Sequence, residues 1–125
     1  MVNIYIISIM LLGHWFGDFV LQSNELALKK HKTLNDLALH SFDYSAVFLV
    51  IGLLFTQLGL FGFNLIGTFL FFGATFLLHA LVDHTMSKIG YDSLNKSRQN
   101  EFLGFLILDQ SIHLILLWFT FVLIF

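Results

Sequence analysis

Hydrophobic residues occur along the chain in four long runs, separated by shorter polar or turn-like stretches. A helix needs about 20 residues to cross the hydrocarbon core of a bilayer, and each run is close to that length. We predict transmembrane helices over about residues 4–21, 34–55, 60–82 and 102–125. A short uncharged turn joins the second run to the third, so these two helices should be antiparallel neighbours. The predicted fold is an all-α membrane protein, a single domain forming a four-helix antiparallel bundle.

The composition supports this interpretation and narrows the chemistry. Hydrophobic residues make up 58% of the 125-residue chain and charged residues only 11%, with a mean hydropathy of +0.86, whereas soluble domains average about 25% charged residues. The chain has no cysteine, which excludes disulfides, thiolate metal sites and thiol catalysis. It has no basic run typical of nucleic-acid binding. No positively charged segment precedes the first run, so we expect a transmembrane helix there rather than a cleaved signal peptide.

The basic residues predict an orientation in the membrane. All six lie in the two polar connections, one on each side of the central hairpin: Lys29, Lys30, Lys32, Lys88, Lys96 and Arg98. With four spans, both connections fall on one side of the bilayer. The positive-inside rule places them in the cytoplasm and both termini outside, in an inner or plasma membrane.

Each predicted helix also carries one histidine and one aspartate four residues apart. The pairs are His14/Asp18, Asp36/His40, His79/Asp83 and Asp109/His113. If the six aspartates and six histidines were scattered uniformly, fewer than one aspartate (about 0.6 on average) would have a histidine at this spacing, whereas four do. Periodic placement on one helix face explains the excess. A spacing of four brings both side chains to the same face of a helix.

The order within the pairs reverses from helix to helix, as the direction of the chain does. The four histidines should therefore form a deeper layer, and the four aspartates a shallower layer nearer the cytoplasm. The pattern also resembles two copies of one helical hairpin, although the halves share little identity outside the pairs.

Buried carboxylates need compensation, because each one at mid-helix costs about 2.5–3.5 kcal/mol on insertion scales. Mutual His–Asp hydrogen bonds are one source, and a bound divalent metal is the other. The donor set suits zinc first, with Mn, Fe, Co or Ni as alternatives. One or two ions are expected, with all eight residues as candidate ligands: His14, Asp18, Asp36, His40, His79, Asp83, Asp109 and His113.

Three further residues complete the expectations for the site. Gln22 extends the face of His14 and Asp18 by one turn and is a candidate substrate contact, as is Lys29 in the basic stretch that follows. Asp43, one turn beyond His40, is a weaker candidate for the polar core.

Several of these motifs resemble a family of small bacterial and phage membrane proteins, domain of unknown function 3307. The matching pieces reach all four helices: H14-W-F-G-D-F-V-L-Q22 with its lysine-rich continuation, His40, H79-A-L-V-D83 and D109-Q-S-I-H113. The resemblance implies the fold and the site but no activity. A looser likeness connects the helical His/Asp motifs with membrane-bound metal-dependent hydrolases.

The leading hypothesis is a membrane-embedded metal-dependent hydrolase acting on a lipid or other amphiphilic phosphoester or acyl substrate at the cytoplasmic interface. The metal would generate hydroxide, and Asp18 or Asp83 would act as general base. The alternatives are a cation or proton channel or transporter, and a non-catalytic membrane subunit with a structural metal, with haem binding a weaker option. Apolar outer halves of the spans argue against a pore in one chain. A homodimer is an expected partner arrangement.

Overall fold

All the secondary structure that the computed structural model describes is helical. It describes residues 4–22, 33–95 and 99–125, and these ranges contain no β-strand. The first helix continues directly into a π-helical segment, Phe16–Val20. The α-helices are α1 Ile4–Trp15, α2 Leu34–Leu58, α3 Leu65–Asn95 and α4 Gln99–Ile124.

Three of these helices are long and apolar enough to cross a membrane: Leu34–Leu58, Leu65–Asp92 within α3, and Gln99–Ile124. The helical segment Ile4–Val20 is apolar but shorter. The chain is therefore compatible with a membrane protein. The described ranges contain four helices, as predicted, although the first does not reach the length of the other three.

Helix α3 continues well past the predicted end of its span near Val82, through the stretch expected to be a polar connection. The physical reason is that hydropathy marks where a helix leaves an apolar environment, not where its hydrogen bonds end. No proline interrupts residues 83–95, and the side chains of residues 84–92 are exposed or half-buried, which is compatible with a helix that extends beyond its apolar span. The helix also begins later than predicted, at Leu65, because residues 59–64 form the turn.

The turn between α2 and α3 depends on a glycine. Gly59 adopts a left-handed conformation with φ of 65°, and its N–H bonds the carbonyls of Phe55 and Thr56. This geometry is the usual C-terminal cap of a helix and favours glycine. Helix α2 then packs along α3, and α3 packs along α4.

Two glycines bring the first helix close to α2, as the small-xxx-small spacing predicts. A Cβ atom on Gly13 would lie 3.0 Å from the Phe48 ring, and one on Gly17 would lie 3.2 Å from the Cα of Tyr44. Gly17 is inside the π-helical segment. Its contact with backbone atoms of α2 means that a larger residue there would push the segment away.

Burial in this fold is the inverse of burial in a soluble protein. The largest side chains that are almost completely buried include Tyr44, His40, Thr68 and Asp83, whereas many leucines, isoleucines and phenylalanines are exposed along all four helices. A soluble monomer rarely exposes so much contiguous apolar surface. One part of the interior is apolar, and we call it the aromatic core: Phe48, Phe63, Phe71, Phe121 and Phe125.

Candidate metal centre

Four polar atoms from three helical elements converge in the interior. The Nε2 atoms of His40 and His79 lie 3.0 Å apart. Oδ1 of Asp18 is 3.0 Å from the first and 3.7 Å from the second. Oδ2 of Asp83 is 3.2 Å from Nε2 of His40 and 3.5 Å from Nε2 of His79. All four side chains are nearly inaccessible to solvent.

His113 adds a fifth donor on the other side of Asp83. Its Nε2 lies 3.6 Å from Oδ1 of Asp83, while its Nδ1 donates a hydrogen bond to the main-chain carbonyl of Asp109 at 3.0 Å. The proton therefore belongs on Nδ1, and Nε2 presents its lone pair to the interior. A histidine held this way through its other nitrogen is typical of metal ligands. We call these five residues the polar cluster: Asp18, His40, His79, Asp83 and His113.

The polar cluster contains two overlapping sets of side chains that can hold a metal ion. Asp18, His40 and His79 each offer one ligand atom within 4.8 Å of the others, and His79, Asp83 and His113 do the same. His79 belongs to both sets. The same side chains also form ion pairs with one another if the histidines are protonated.

Local structure explains how these side chains meet. His79 and Asp83 share a face of α3 because they are four residues apart. His40 projects from α2 toward them, and Asp18 reaches His40 from the π-helical segment. The extra residue per turn in a π-helix changes which side chains face inward, and such segments are frequent at functional sites. Two of the predicted aspartates, Asp18 and Asp83, are thus in direct contact with the predicted histidines.

Gln110 connects the polar cluster to His14. Its amide nitrogen donates to Oδ2 of Asp18 at 2.8 Å, and its amide oxygen lies 2.9 Å from Nε2 of His14. Because an amide oxygen only accepts, Nε2 of His14 carries the proton. Nδ1 of His14 then accepts a hydrogen bond from the Tyr44 hydroxyl, 3.0 Å away.

Tyr44 also supports the cluster through its ring. The ring stacks on the imidazole of His79, with centroids 3.8 Å apart and planes within 15°. Neither Gln110 nor Tyr44 is among the site residues predicted from the sequence. For Gln110, the signal in the sequence is its place beside Asp109 on α4, within the motif D109-Q-S-I-H113. The signal for Tyr44 was its position one turn beyond His40, on the same face.

Not every predicted ligand joins the cluster. His14 lies beside it with both ring nitrogens hydrogen-bonded. Asp109 approaches His113 at 3.4 Å on the Nδ1 side, away from Nε2. Asp36 is used elsewhere: its carboxylate accepts from the Thr33 hydroxyl, which in turn accepts from the Asp36 N–H. Thr33 therefore caps α2, and Asp36 in the first turn bonds this cap instead of joining the other predicted aspartates.

Of the two predicted substrate contacts, Gln22 is among the described residues, and its role stays a prediction. Gln22 follows the π-helical segment and is half-buried, and its side-chain nitrogen is buried with no hydrogen-bond partner among residues 4–22, 33–95 and 99–125. Lys29 lies outside the described residues, as do Lys30, Lys32, Lys96 and Arg98. Asp43 is half-buried on α2, and its place in the polar core stays a prediction.

The comparison with protein families identifies a relationship over almost the whole chain. Residues 6–125 match the family described as "Protein of unknown function (DUF3307)". No curated protein and no solved structure matches the chain. The looser likeness to metal-dependent hydrolases is not shown by any of these comparisons.

Proposed function

The chain belongs to this family, DUF3307, whose description contains no activity, and we propose a function from the site itself. The protein binds a divalent metal ion inside a membrane-embedded helix bundle and uses it for hydrolysis of an amphiphilic substrate. The observation that carries the proposal is the convergence of imidazole and carboxylate donors in the polar cluster.

The membrane assignment is supported by the apolar exterior and by the three long helices. Contacts between α2 and α3 support an antiparallel arrangement, because residues that are later in α2 contact residues that are earlier in α3. Tyr44 stacks on His79, and Thr56 bonds Thr68 near the turn. With the basic connections on the cytoplasmic side, the polar cluster lies toward the cytoplasm and the termini lie outside.

The spacing of the donors suits a small divalent ion. Bonds of 2.0–2.1 Å in a tetrahedral site place neighbouring donor atoms about 3.4 Å apart. The five distances measured among Asp18, His40, His79 and Asp83 range from 3.0 to 3.7 Å. Nitrogen and oxygen donors favour zinc, with manganese, iron, cobalt and nickel as alternatives.

Hydrogen bonds alone explain this arrangement less well. Nε2 of His40 faces two carboxylate oxygens and a second imidazole nitrogen, all between 3.0 and 3.2 Å away. A neutral imidazole nitrogen carries one proton at most, so it cannot satisfy three such neighbours. A divalent cation between these atoms would accept a lone pair from each of them.

The two aspartates are suited to different roles. Asp18 has Oδ2 bonded to Gln110 and Oδ1 directed at the imidazole pair, which suits a fixed ligand. Asp83 places Oδ2 near His40 and His79 and Oδ1 near His113, which suits a bridge between two donor sets or a general base. A metal ion bound here would lower the pKa of its water and polarise the substrate oxygen. We assign proton transfer to Asp83 rather than Asp18.

The substrate class follows from where the cluster lies. The exterior around it is apolar, so a lipid or another amphiphile can approach from the bilayer with its phosphoester or acyl group at the interface. The aromatic core fills the bundle beyond the cluster with packed rings, which favours an enzyme over a channel through one chain.

Metal analysis of the purified protein in detergent tests the proposal. The parent is expected to contain about one to two metal ions per chain after loading, and to release a labelled headgroup or fatty acid from a panel of bacterial lipids. His79→Ala should lose both the metal and the hydrolysis. His84→Ala is the matched control, because His84 is exposed on the same helix. Within the described residues, its side chain makes one hydrogen bond, to the nearby side chain of Lys88.

Two results would contradict the proposal at different levels. A parent protein that binds no stoichiometric metal would remove the metal site. Stoichiometric metal combined with no hydrolysis of any lipid in the panel, or with full hydrolysis in His79→Ala, would remove the enzymatic role and leave a structural metal.

A further inference from the structure

A small, partly open cavity lies beside the polar cluster, lined by α3, α4 and Tyr44 of α2. Its volume is about 10 Å³, close to the ~10–15 Å³ that holds one water molecule. The polar part of its lining includes His79, His113, Thr75 and Thr120. This cavity adjoins the two histidines that belong to the second donor set.

His79 supplies an unusual group to this region. Its Nε2 faces the polar cluster, 3.0 Å from Nε2 of His40. Its Nδ1 is buried and has no hydrogen-bond partner within the described part of the chain. The corresponding atom of His113 bonds the carbonyl of Asp109, four residues earlier.

The residue four positions before His79 is Thr75, and its hydroxyl is already used as a donor. Its single proton is shared between the carbonyls of Phe71 and Phe72, whose oxygens lie 2.8 and 3.0 Å away. Thr120, across the cavity on α4, donates its hydroxyl to the carbonyl of Leu116 at 2.7 Å. Both threonine oxygens therefore keep lone pairs that can accept a further hydrogen bond.

We propose that a water molecule occupies this cavity and connects His79 to Thr75 and Thr120. The water oxygen accepts from Nδ1–H of His79, and the two water protons are donated to Oγ1 of Thr75 and Oγ1 of Thr120. This gives the water three partners, which is typical of buried water in proteins. The inference rests on the proposed function, because it explains how His79 is held as a ligand.

The consequence for the site is a defined tautomer of His79. With the proton on Nδ1, the Nε2 lone pair is directed at the cluster and is available to a metal ion. Outer partners of this kind typically contribute 10- to 100-fold to metal affinity. Thr75 and Thr120 are thus positioning residues that act through the water and His79.

Metal affinity of a set of threonine variants tests the water bridge. Competition with a chromophoric chelator would measure zinc or cobalt binding to the protein in detergent. Thr75→Val and Thr120→Val should each lower the affinity about 10-fold, since Val keeps the shape and removes the acceptor. The double variant should be about as weak as either single one, because each loss alone releases the water. Thr75→Ser, which keeps a hydroxyl, should restore most of the affinity.

Thr85→Val is the matched control, because Thr85 is exposed on the same helix and also donates to a main-chain carbonyl, that of Leu81. Its affinity should equal that of the parent. Unchanged affinity in Thr120→Val would overturn the bridge, since Thr75 would then be acting on His79 directly. Additive losses in the double variant would also overturn it.

A second readout separates this inference from the proposed function. In metal-free protein labelled with ¹⁵N-histidine, NMR should show His79 protonated at Nδ1, with a cross-peak between that proton and water that disappears in Thr120→Val. If the parent binds no metal, the proposed metal site fails while this spectrum still decides the water. A parent spectrum without the cross-peak, or with the proton on Nε2, would contradict the water bridge alone.

Discussion

The polar cluster and the aromatic core are buried in the same bundle but are stabilised by different physics. The aromatic core places apolar rings inside a protein whose exterior is also largely apolar. In the bilayer that we propose as its environment, burial there would contribute by packing rather than by transfer out of water. The polar cluster groups donors that neither lipid nor the aromatic rings can satisfy. We expect the aromatic core to determine how stable the bundle is, and we expect the polar cluster to determine what the protein binds.

Removing a ligand should have the largest effect on binding and should leave the aromatic core unaffected. A structural zinc site contributes about 10–16 kcal/mol, so His40→Ala should weaken metal binding by roughly 100- to 1000-fold, as one of four or five donors is lost. Chelator competition on the purified protein would measure this. Binding within about threefold of the parent would show that His40 is not a ligand.

Removing a ring from the aromatic core should lower stability and leave metal affinity unchanged. Phe71 is buried against Phe48, Phe121 and Phe125, and Phe→Ala substitutions in packed cores cost about 3–5 kcal/mol. Phe71→Ala should lower the midpoint of unfolding in detergent without changing metal affinity in the folded protein. A loss of affinity as large as that of His40→Ala would show that the two regions are not separable.

The close approach of Gly17 to Tyr44 lies beside the polar cluster, and disturbing it should give a smaller effect on metal affinity. A Cβ at position 17 would meet backbone atoms of α2 at 3.2 and 3.3 Å, so Gly17→Ala should displace the π-helical segment and with it Asp18. We expect metal affinity to fall on the order of 10- to 100-fold, as for lost outer-shell support.

Gly73→Ala is the control for that substitution, because a Cβ on this helical glycine meets nothing within 4 Å. It should leave metal affinity unchanged and stabilise α3 by up to about 1 kcal/mol. Equal metal affinities in the two alanine variants would show that the position of Asp18 does not depend on Gly17.

Replacing Gln110 should have the smallest of these effects on metal affinity. Gln110→Ala removes the bond to Oδ2 of Asp18 and the acceptor for His14, so affinity should fall about 10-fold. Ser111→Ala on the exposed side of α4 should change nothing, as its hydroxyl bonds only its own helix among described groups. If Gln110→Ala matched Ser111→Ala in metal titrations, the Gln110 bridge would have no role in binding.

Much of the fold could be predicted because periodicity and hydropathy act locally. Four helices follow from four apolar runs, and the shared place of His79 and Asp83 in the polar cluster follows from a spacing that puts both on one helix face. The alternating order of the pairs compensates for the reversal of chain direction, which is why side chains from different helices meet. These patterns are determined within single helices, so they are retained when the helices pack together.

What could not be predicted depends on contacts between helices. The π-helical segment has no periodic signature, since it arises where Gly17 packs on α2 and Asp18 turns toward His40. The bridge made by Gln110 requires knowing how α4 faces the first helix. Asp36 is different, because Thr33 three residues before it is a recognisable N-terminal capping signal. That signal competes with the metal-ligand interpretation, and in the structure Thr33 caps α2 with Asp36 hydrogen-bonded to it.

The central claim is that imidazole and carboxylate groups of the polar cluster hold a metal ion, and X-ray absorption spectroscopy of the metal-loaded protein tests it most directly. With zinc bound, the account predicts a shell of nitrogen and oxygen atoms at about 2.0–2.1 Å, with outer scattering from two or three imidazoles that is reduced in His79→Ala. A spectrum with oxygen scatterers only and no imidazole contribution, identical in the parent and in His79→Ala, would contradict it.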